Sequence, residues 1–243
     1  MHRFFVPASR ISGGRISFSN EQRKQLRNVL RLRSGDVVTA LDGSGREFVT
    51  KIEALDGKLA IGKIMETRTP STEPNTRLTL VISLPKGERL DLILQKCTEI
   101  GAAKFLIIET VRTVRRIAPD KIPAKLDRWR TIVKEAAEQC GRTRLPTVDG
   151  VISLEDALAQ VKSGTGVIAW EEEEETNLSS VLPRIKSADE ITLFIGPEGG
   201  FTEEEVAAAR AAGIIPVSLG PRILRTETAA IVGCTLIIYG PEG

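Results

Sequence analysis

The chain is poor in residues on which many enzyme mechanisms depend. Its 243 residues include one histidine, His2, one tyrosine and three cysteines. A single histidine excludes a metal site built from several histidines, and it leaves no imidazole in the body of the chain for a Ser-His-Asp triad. The cysteines, Cys97, Cys140 and Cys234, are odd in number and far apart, which favours packed thiols over a disulfide or zinc framework. We therefore predict no metal and no histidine-based catalysis.

Long apolar runs are also missing. No stretch approaches the about 20 apolar residues that a membrane-spanning helix needs, and the N-terminus lacks the charged-then-apolar pattern of a signal peptide. Hydrophobic residues make up 41% of the chain, which is enough to form the cores of two ordinary domains. The sequence thus predicts a soluble, globular, cytoplasmic protein without a membrane partner.

Charge is small in total but unevenly distributed. Residues 1–70 carry 13 Lys/Arg against 7 Asp/Glu, whereas the remainder carries 21 against 25. This asymmetry suggests a partner with phosphates; a solvated surface is the alternative. The candidate RNA-binding residues are Arg3, Arg23, Lys24, Arg27 and Arg31, and, from a proline-broken basic segment and the turn after the next helix, Arg112, Arg115 and Arg142. For this second group a solvated loop remains an equal alternative.

Strand-like and helix-like patterns divide the chain into two parts. In residues 1–70, short strand-like runs flank a basic helix of 11 residues that Ser19 or Asn20 would cap, which predicts a small β-barrel. Residues 69–75 are polar and contain two prolines, as expected of a linker. In residues 76–243, apolar strand-like runs alternate with helical segments, which predicts an α/β domain with a parallel sheet.

Two glycine-rich loops follow strand-like runs near the C-terminus. Residues 191–195 lead into GPEGG at 196–200, the first glycine loop, and residues 214–219 lead into GPRILR at 220–225, the second glycine loop. Thr202 and Glu205 have capping-box spacing, and Thr226 is expected to cap a last helix that reaches Tyr239. Ligands of parallel sheets bind beyond the carboxyl ends of the strands, where both loops would lie.

The chemistry of these loops favours a flat heterocycle over a polyphosphate. The Walker lysine and the G-x-G-x-x-G pattern are both missing, while glycine and proline produce rigid loops with exposed main-chain groups. Either loop alone could be an ordinary turn. Their occurrence at two successive strand ends favours a binding site.

The segments FIGPEGGFTEEEV and SLGPRILRTETAAI closely resemble the C-terminal signature of the SPOUT-class RNA methyltransferases. The segments MHRFFV, PKGERLDLILQKCTEIGA and EAAEQCGR extend the similarity along the chain. The resemblance implies a PUA-like RNA-binding domain in residues 1–70 and a trefoil-knotted SPOUT α/β methyltransferase domain in residues 76–243. It also implies S-adenosyl-L-methionine as cofactor and methylation of N3 of one uridine in the decoding region of 16S rRNA, in the small ribosomal subunit.

Two other functions compete with this one. A SPOUT enzyme that modifies a ribose or a tRNA would carry the same loops, whereas a non-catalytic RNA-binding assembly factor would not need them. The resemblance further implies a homodimer. The last helix, which is apolar on nearly every face and needs cover on both sides, agrees with that expectation, although burial within one subunit is the alternative.

Site residues follow from the loops and from the resemblance together. The expected cofactor-binding residues are Trp170, Ile195, Gly196, Pro197, Gly199, Leu219, Gly220, Ile223, Leu224 and Thr228. Methylation of N3 requires loss of its proton, so we expect the guanidinium of Arg225 to stabilise negative charge on the base. Glu227 or Glu198 would accept the proton or orient the base, with helix capping as the alternative for Glu227.

Overall fold

The structure is a computed structural model that describes residues 2–57, 59–114, 116–161, 165–185 and 188–240. The chain forms two compact units. The first contains Met1–Glu73 and Ala137–Leu145, and the second contains Pro74–Ala136 and Pro146–Gly243. The first change of unit falls within the predicted linker, whereas Ala137–Leu145 was expected in the second domain.

Specific contacts explain why Ala137–Leu145 belongs to the first unit. Ala137 packs in an apolar cluster with Phe5 and Leu41, and the backbone N–H of Phe5 donates to Oε1 of Glu138 at 2.7 Å. Such contacts join residues that are about a hundred positions or more apart in the chain. Local sequence patterns therefore give no signal for these contacts.

The first unit is built on a six-stranded curled sheet. Its strands are β1 (Arg3–Phe5), β2 (Ile11–Ser12), β3 (Arg15–Ser17), β4 (Val37–Leu41), β5 (Glu47–Asp56) and β6 (Leu59–Arg68). They lie in the order β1-β4-β5-β6-β3-β2, and every neighbouring pair is antiparallel except β1 with β4. A short 3₁₀ turn, Ala8–Arg10, precedes β2. Buried apolar side chains from alternate strand positions fill the interior, among them Phe4, Ile16 and Val38.

The predicted basic helix is present but is not a single α-helix. Ser19 caps α1 (Asn20–Lys24) through a capping box with Gln22, and the chain continues as a π-helical turn, Gln25–Val29. Leu26 is fully buried and anchors this turn in the core of the first unit. Shortly afterwards Arg31 adopts a left-handed backbone conformation, with φ of 55°.

The second unit is built on a six-stranded parallel sheet. Its strands are β7 (Arg77–Ser83), β8 (Lys104–Glu109), β9 (Thr147–Ser153), β10 (Gly166–Ala169), β11 (Glu190–Ile195) and β12 (Ile215–Val217), in the order β12-β10-β11-β7-β8-β9. Runs such as β7 and β11 are almost continuously apolar because both faces of the sheet are covered. The edge strand β9 was not predicted, since Asp149 and Gly150 interrupt its apolar pattern.

Helices cover both faces of the parallel sheet. They are α2 (Arg89–Ile100), α3 (Ile122–Cys140), α4 (Leu154–Leu158), α5 (Leu178–Ile185), α6 (Glu203–Ala211) and α7 (Thr226–Tyr239), with a 3₁₀ turn, Pro119–Lys121, before α3. Leu193 on β11 packs into an apolar cluster with residues of α2, α3, α5 and α7, whereas its neighbour Phe194 packs into a second cluster with α4 and α6. The predicted α/β architecture is thereby confirmed.

The last helix, α7, is largely covered by its own chain. It contacts β7, β11, α2 and α5, and an added Cβ on Gly233 would lie 2.6 Å from the side chain of Leu193. The expectation that Thr226 caps this helix is wrong: Arg225 occupies the N-cap position without a side-chain hydrogen bond, and Thr226 is buried in the first turn. No helix within the described ranges is both long and apolar enough to cross a membrane.

Candidate active site

The first glycine loop lies at the carboxyl end of β11 and is packed closely over Phe201. An added Cβ on Gly196 would lie 3.2 Å from the Phe201 ring, which is itself buried, and 3.3 Å from the carbonyl carbon of Gly200. Gly200 has a φ of 68° and donates its N–H to the carbonyl of Pro197 at 3.0 Å. Glycine is thus required at position 196 by close approach and at position 200 by the left-handed backbone.

The predicted capping box fixes the helix that follows this loop. The N–H of Glu205 donates to Oγ1 of Thr202 at 3.2 Å, and the N–H of Thr202 donates to Oε2 of Glu205 at 2.9 Å. The other oxygen of Glu205 accepts from the N–H of Val111 at 2.8 Å. This buried carboxylate therefore ties α6 to the segment after β8.

Arg112 braces the first glycine loop from that same segment. Its Nη1 donates to the carbonyls of Gly199, at 2.7 Å, and Phe201, at 3.2 Å. The turn that carries Arg112 is held by Thr113, whose Oγ1 accepts from the N–H of Thr110 at 2.8 Å and lies 2.9 Å from Oγ of Ser83. The loop geometry consequently depends on residues far away in sequence.

The second glycine loop follows β12 and is far more exposed. Gly220 has a φ of 123°, a conformation that side chains rarely adopt, and Ile223 is 86% exposed. Leu219, at the start of the loop, packs against the cluster formed with α2 and α7. The side chain of Arg225 is exposed at the other end.

Arg89, the first residue of α2, meets two of the candidate carboxylates. Its Nη1 donates to Oε1 of Glu198 at 2.5 Å, and its Nε lies 3.8 Å from Oε2 of Glu227. The N–H of Lys86 also donates to Oε1 of Glu198, at 2.9 Å. Partial burial alone would raise the pKa of Glu198, but the Lys86 N–H and the nearby charge of Arg89 outweigh it, so that pKa lies below its usual range.

Glu227 presents an open hydrogen-bond acceptor. Its Oε2 is buried, yet no donor within the described part of the chain hydrogen-bonds to it. A buried carboxylate oxygen without a donor is costly, even with a cation at ion-pair distance. A ligand that brings an N–H to this point would satisfy it.

Comparisons with known proteins agree with this geometry. Residues 72–243 match the RNA methyltransferase domain family, and residues 19–65 match the RNA methyltransferase PUA domain family. The ribosomal RNA small subunit methyltransferase E of Bacillus subtilis is 30% identical over 100% of this chain and 98% of its own. That of Synechocystis is 35% identical over 97% of this chain and 77% of its own. The chain belongs to the ribosomal RNA small subunit methyltransferase E family.

Solved structures of similar proteins show the same fold. The methyltransferase E of Neisseria gonorrhoeae, bound to S-adenosyl methionine, has 31% identity and a TM-score of 0.88, covering 96% of this chain and 95% of its own. A putative methyltransferase of Legionella pneumophila, in complex with the same cofactor, has 29% identity and a TM-score of 0.87, covering 98% and 96%. The SPOUT-type fold with a PUA-like domain, predicted from the resemblance, is thereby confirmed.

The cofactor-binding residues expected from the methyltransferase E resemblance differ in accessibility. Ile195 and Pro197 are buried, so they offer mainly main-chain atoms, whereas Gly199, Gly220, Ile223 and Thr228 are exposed. Gly196, Leu219 and Leu224 are half-buried. Loop positions 196–199 and 219–224 therefore combine accessible backbone with apolar side chains.

Trp170, predicted to flank the cofactor, packs on the face of the sheet that α4 and α6 cover. Its ring packs against the cluster formed with α4 and α6, and the guanidinium of Arg210 lies 6.0 Å from the ring centroid. Leu219 belongs to the cluster on the opposite face of the sheet. The role of Trp170 at a cofactor pocket stays a prediction, and the ring contributes to packing in any case.

The cations predicted to bind RNA in the first unit fall into two groups. Arg3 is committed to Glu47, with Nη1 to Oε2 at 2.8 Å, and Nη1 of Arg23 donates to the carbonyl of Gly57 at 2.9 Å. The remaining three are exposed and form no ion pair within the described ranges: Lys24, Arg27 and Arg31. This second group is the better candidate for phosphate contacts.

The cations predicted to bind RNA elsewhere have structural contacts. Arg142 is 5% exposed and donates from Nη2 to Oε2 of Glu73 at 2.7 Å, which occupies its guanidinium and argues against the predicted phosphate contact. Arg112 braces the first glycine loop. Arg115 lies outside the described residues.

Arg89 was missed by the sequence reasoning, although a signal existed. It lies in PKGERLDL, a segment quoted for the family resemblance, and it opens a helix. Positive charge is unfavourable at a helix N-terminus, so an arginine there indicates a compensating partner. In the structure, Glu198 and Glu227 are that partner.

Proposed function

We propose that this chain uses S-adenosyl-L-methionine to methylate N3 of one uridine in the decoding region of 16S rRNA. The observation that carries the proposal is the pair of glycine loops at carboxyl ends of parallel strands, in a chain that aligns with a cofactor-bound family member over 96% of its length. The cytoplasm, where rRNA would be encountered, is the proposed location.

The residues of the loops fit this cofactor. Exposed main-chain groups around Gly199 and Gly220 suit the hydrogen-bonding edge of an adenine, and Leu219 with Leu224 offers an apolar wall. When bound, the cofactor supplies an electrophilic methyl group on a sulfonium.

The chain's own side chains would then handle the proton and the charge on the base. Arg225 is exposed beside the second glycine loop, where its guanidinium can hydrogen-bond a uracil carbonyl oxygen as negative charge develops. Glu227 is assigned as the acceptor of the N3 proton, because its Oε2 is buried and open. Glu198 has a lowered pKa and an arginine partner, which makes it a weak base; its assigned role is to hold Arg89.

RNA docking is assigned to the first unit, supported by its match to a PUA domain and by the exposed cations Lys24, Arg27 and Arg31. Neutralising phosphates with such cations gives affinity without sequence selectivity. Selection of one uridine would then come from the fold of the RNA and from the site around Arg225. The substrate is proposed to be the small ribosomal subunit.

A homodimer and a trefoil knot complete the proposal. The knot rests on the family resemblance alone. The homodimer rests on it as well, because α7 is already covered by its own chain and does not require a second copy. The exposed side chains of Ile223, Leu92 and Tyr239 leave apolar surface around α2, α7 and the second glycine loop that a second copy would cover.

Nucleoside mass spectrometry of 16S rRNA tests the function. A strain in which this chain is deleted should lack N3-methyluridine at one position, and plasmid-borne parent chain should restore it, whereas Arg225→Ala should not. Loss of a ribose methylation or of a tRNA modification instead would identify another SPOUT substrate. Unchanged RNA, together with absence of cofactor binding by calorimetry, would favour a non-catalytic assembly factor.

A further inference from the structure

A second concave site lies in the second unit outside the glycine loops. This basic cleft has a volume of about 210 Å³ and runs between the segment after β7 and the start of α3. Its floor is apolar and is made by Leu84, Leu90, Ile117 and Trp129. Three of these are nearly fully buried and belong to the main core, so the floor is rigid.

The rim of the basic cleft is strongly positive. Lys121 ends the 3₁₀ turn before α3 and Lys125 lies in the first turn of α3; both line the cleft, and neither forms an ion pair within the described ranges. Arg116 is largely exposed, with Nε 3.8 Å from Oε2 of Glu109. Only Arg128 is firmly compensated, by both carboxylate oxygens of Asp91. Cations concentrated around one concavity repel one another unless an anion binds there.

The basic cleft and the candidate active site share one short segment. Leu84, Pro85 and Gly87 line the cleft, while the intervening Lys86 N–H and the side chain of Arg89 hydrogen-bond Glu198 of the first glycine loop. The two sites therefore share residues 84–89 as a common wall. A ligand long enough to span that segment would occupy both.

An apolar floor with lysines at its rim matches a nucleotide that is not base-paired. The base would bury its own apolar faces against the exposed part of the floor, and the phosphates on its two sides would lie against the ammonium groups. Duplex RNA presents phosphates but keeps its bases stacked, so it would leave the recessed floor uncovered. We propose that the basic cleft binds a single-stranded RNA nucleotide that flanks the methylated one. Its position next to the methylated nucleotide rests on the function proposed above.

Removal of Lys121 and Lys125 is the direct test. Binding of a single-stranded oligoribonucleotide to the full chain without cofactor should show a log–log salt slope that is less steep by about 1.4 in Lys121→Ala/Lys125→Ala, because each lost phosphate contact contributes about 0.7. The matched control, Lys96→Ala/Lys104→Ala, removes the same charge from surface ion pairs outside the cleft. Equal slopes in the two double variants would overturn the proposal.

Tryptophan fluorescence reports whether the base reaches the floor. The chain has two tryptophans, so in Trp170→Phe all tryptophan emission comes from Trp129. Single-stranded oligoribonucleotide should change that emission, and the change should be lost in the Lys121→Ala/Lys125→Ala background. Inorganic phosphate or duplex RNA giving the same change would contradict recognition of an unpaired nucleotide.

Failure of the cleft proposal can be distinguished from failure of the proposed methyl transfer. If methyl transfer to rRNA occurs and the lysine double variant shows the same KM for RNA as the control, the cleft proposal fails while the function stands. If no RNA is methylated, the salt slope and the Trp129 emission still decide whether the cleft binds RNA. In an active enzyme, the double variant should raise KM for RNA and leave kcat and the cofactor Kd unchanged.

Discussion

Arg89 and Glu198 are 109 residues apart in the chain, yet Nη1 of Arg89 lies 2.5 Å from Oε1 of Glu198. The same guanidinium has its Nε 3.8 Å from Oε2 of Glu227. One arginine at the start of α2 thus compensates two carboxylates, one from each of the segments that carry the glycine loops. We infer that Arg89 fixes the relative position of these segments.

Arg89→Met should change the pH dependence of methyl transfer. Loss of the positive charge removes a group that favours the ionised form of Glu198, so the pKa of Glu198 rises from its lowered value. The ionised carboxylate of Glu198 still holds the first glycine loop in the variant, through the N–H of Lys86. The acid limb of kcat/KM, where protonation of Glu198 loosens that loop, should therefore move to higher pH. In a Glu198→Gln background, adding Arg89→Met should leave the acid limb where it is. A pH profile of Arg89→Met that matches the parent would show that Arg89 has no positioning role.

Arg225→Ala should retain cofactor binding and lose methyl transfer by roughly 100-fold or more, the scale expected when a charge-stabilising donor is removed. Raising the pH should partly restore the rate, because hydroxide then removes more of the N3 proton. Single-turnover rates measure this. Arg222→Ala, an exposed arginine of the same loop, is the matched control and should remain near the parent rate.

Gly199→Val should weaken cofactor binding, and the structure suggests an indirect route for this effect. An added Cβ would lie 3.4 Å from Cβ and 3.5 Å from Cδ of Arg112, the residue that braces the loop. Calorimetry should then find Arg112→Ala similarly weakened, with little further loss in the double variant. Fully additive losses would mean that the valine fills the cofactor site directly.

Glu73→Gln should lower the free energy of unfolding of the first unit by roughly 2 kcal/mol at neutral pH, because the guanidinium of Arg142 loses its charge-assisted hydrogen bonds to the Glu73 carboxylate. Burial raises the pKa of Glu73, but the hydrogen bond and charge of Arg142, with two backbone donors, outweigh it and lower the pKa. The ionised carboxylate therefore stabilises the unit above the unfolded-state value of about 4.3, and this contribution disappears as pH falls through the lower folded-state pKa.

Urea unfolding of the parent and of Glu73→Gln at several pH values measures this contribution of Glu73 to stability. The difference between parent and variant should shrink steadily below about pH 4.3. Glu66→Gln breaks an exposed pair with Arg68 and should leave stability nearly unchanged at every pH. A pH-independent difference for Glu73→Gln would contradict the assignment.

Local patterns predicted the features that local chemistry determines. The capping box of Thr202 and Glu205, the helix covering residues 178–185 and the strand ends before both glycine loops were all readable from neighbouring residues. The knot and the dimer were predicted from the family resemblance and not from local patterns. Threading of a chain and pairing of subunits leave no periodic signal.

Contacts between distant residues account for what was missed. Arg142, predicted either to contact RNA or to lie in a solvated loop, is buried and hydrogen-bonds Glu73, 69 positions away in the chain. β9 depends on pairing with β8 and has a glycine and an aspartate within it. Arg89 became a site residue only through its tertiary contacts with Glu198 and Glu227.

The proposed reaction transfers a methyl group to N3 of one uridine in 16S rRNA, and it can be assayed directly. Purified chain should be incubated with methyl-labelled S-adenosyl-L-methionine and small ribosomal subunits from the deletion strain, and the labelled nucleoside should be identified by mass spectrometry. We expect N3-methyluridine, confined to one position in the decoding region. Label on a ribose or on another base, or no label from a chain that binds the cofactor, would contradict it.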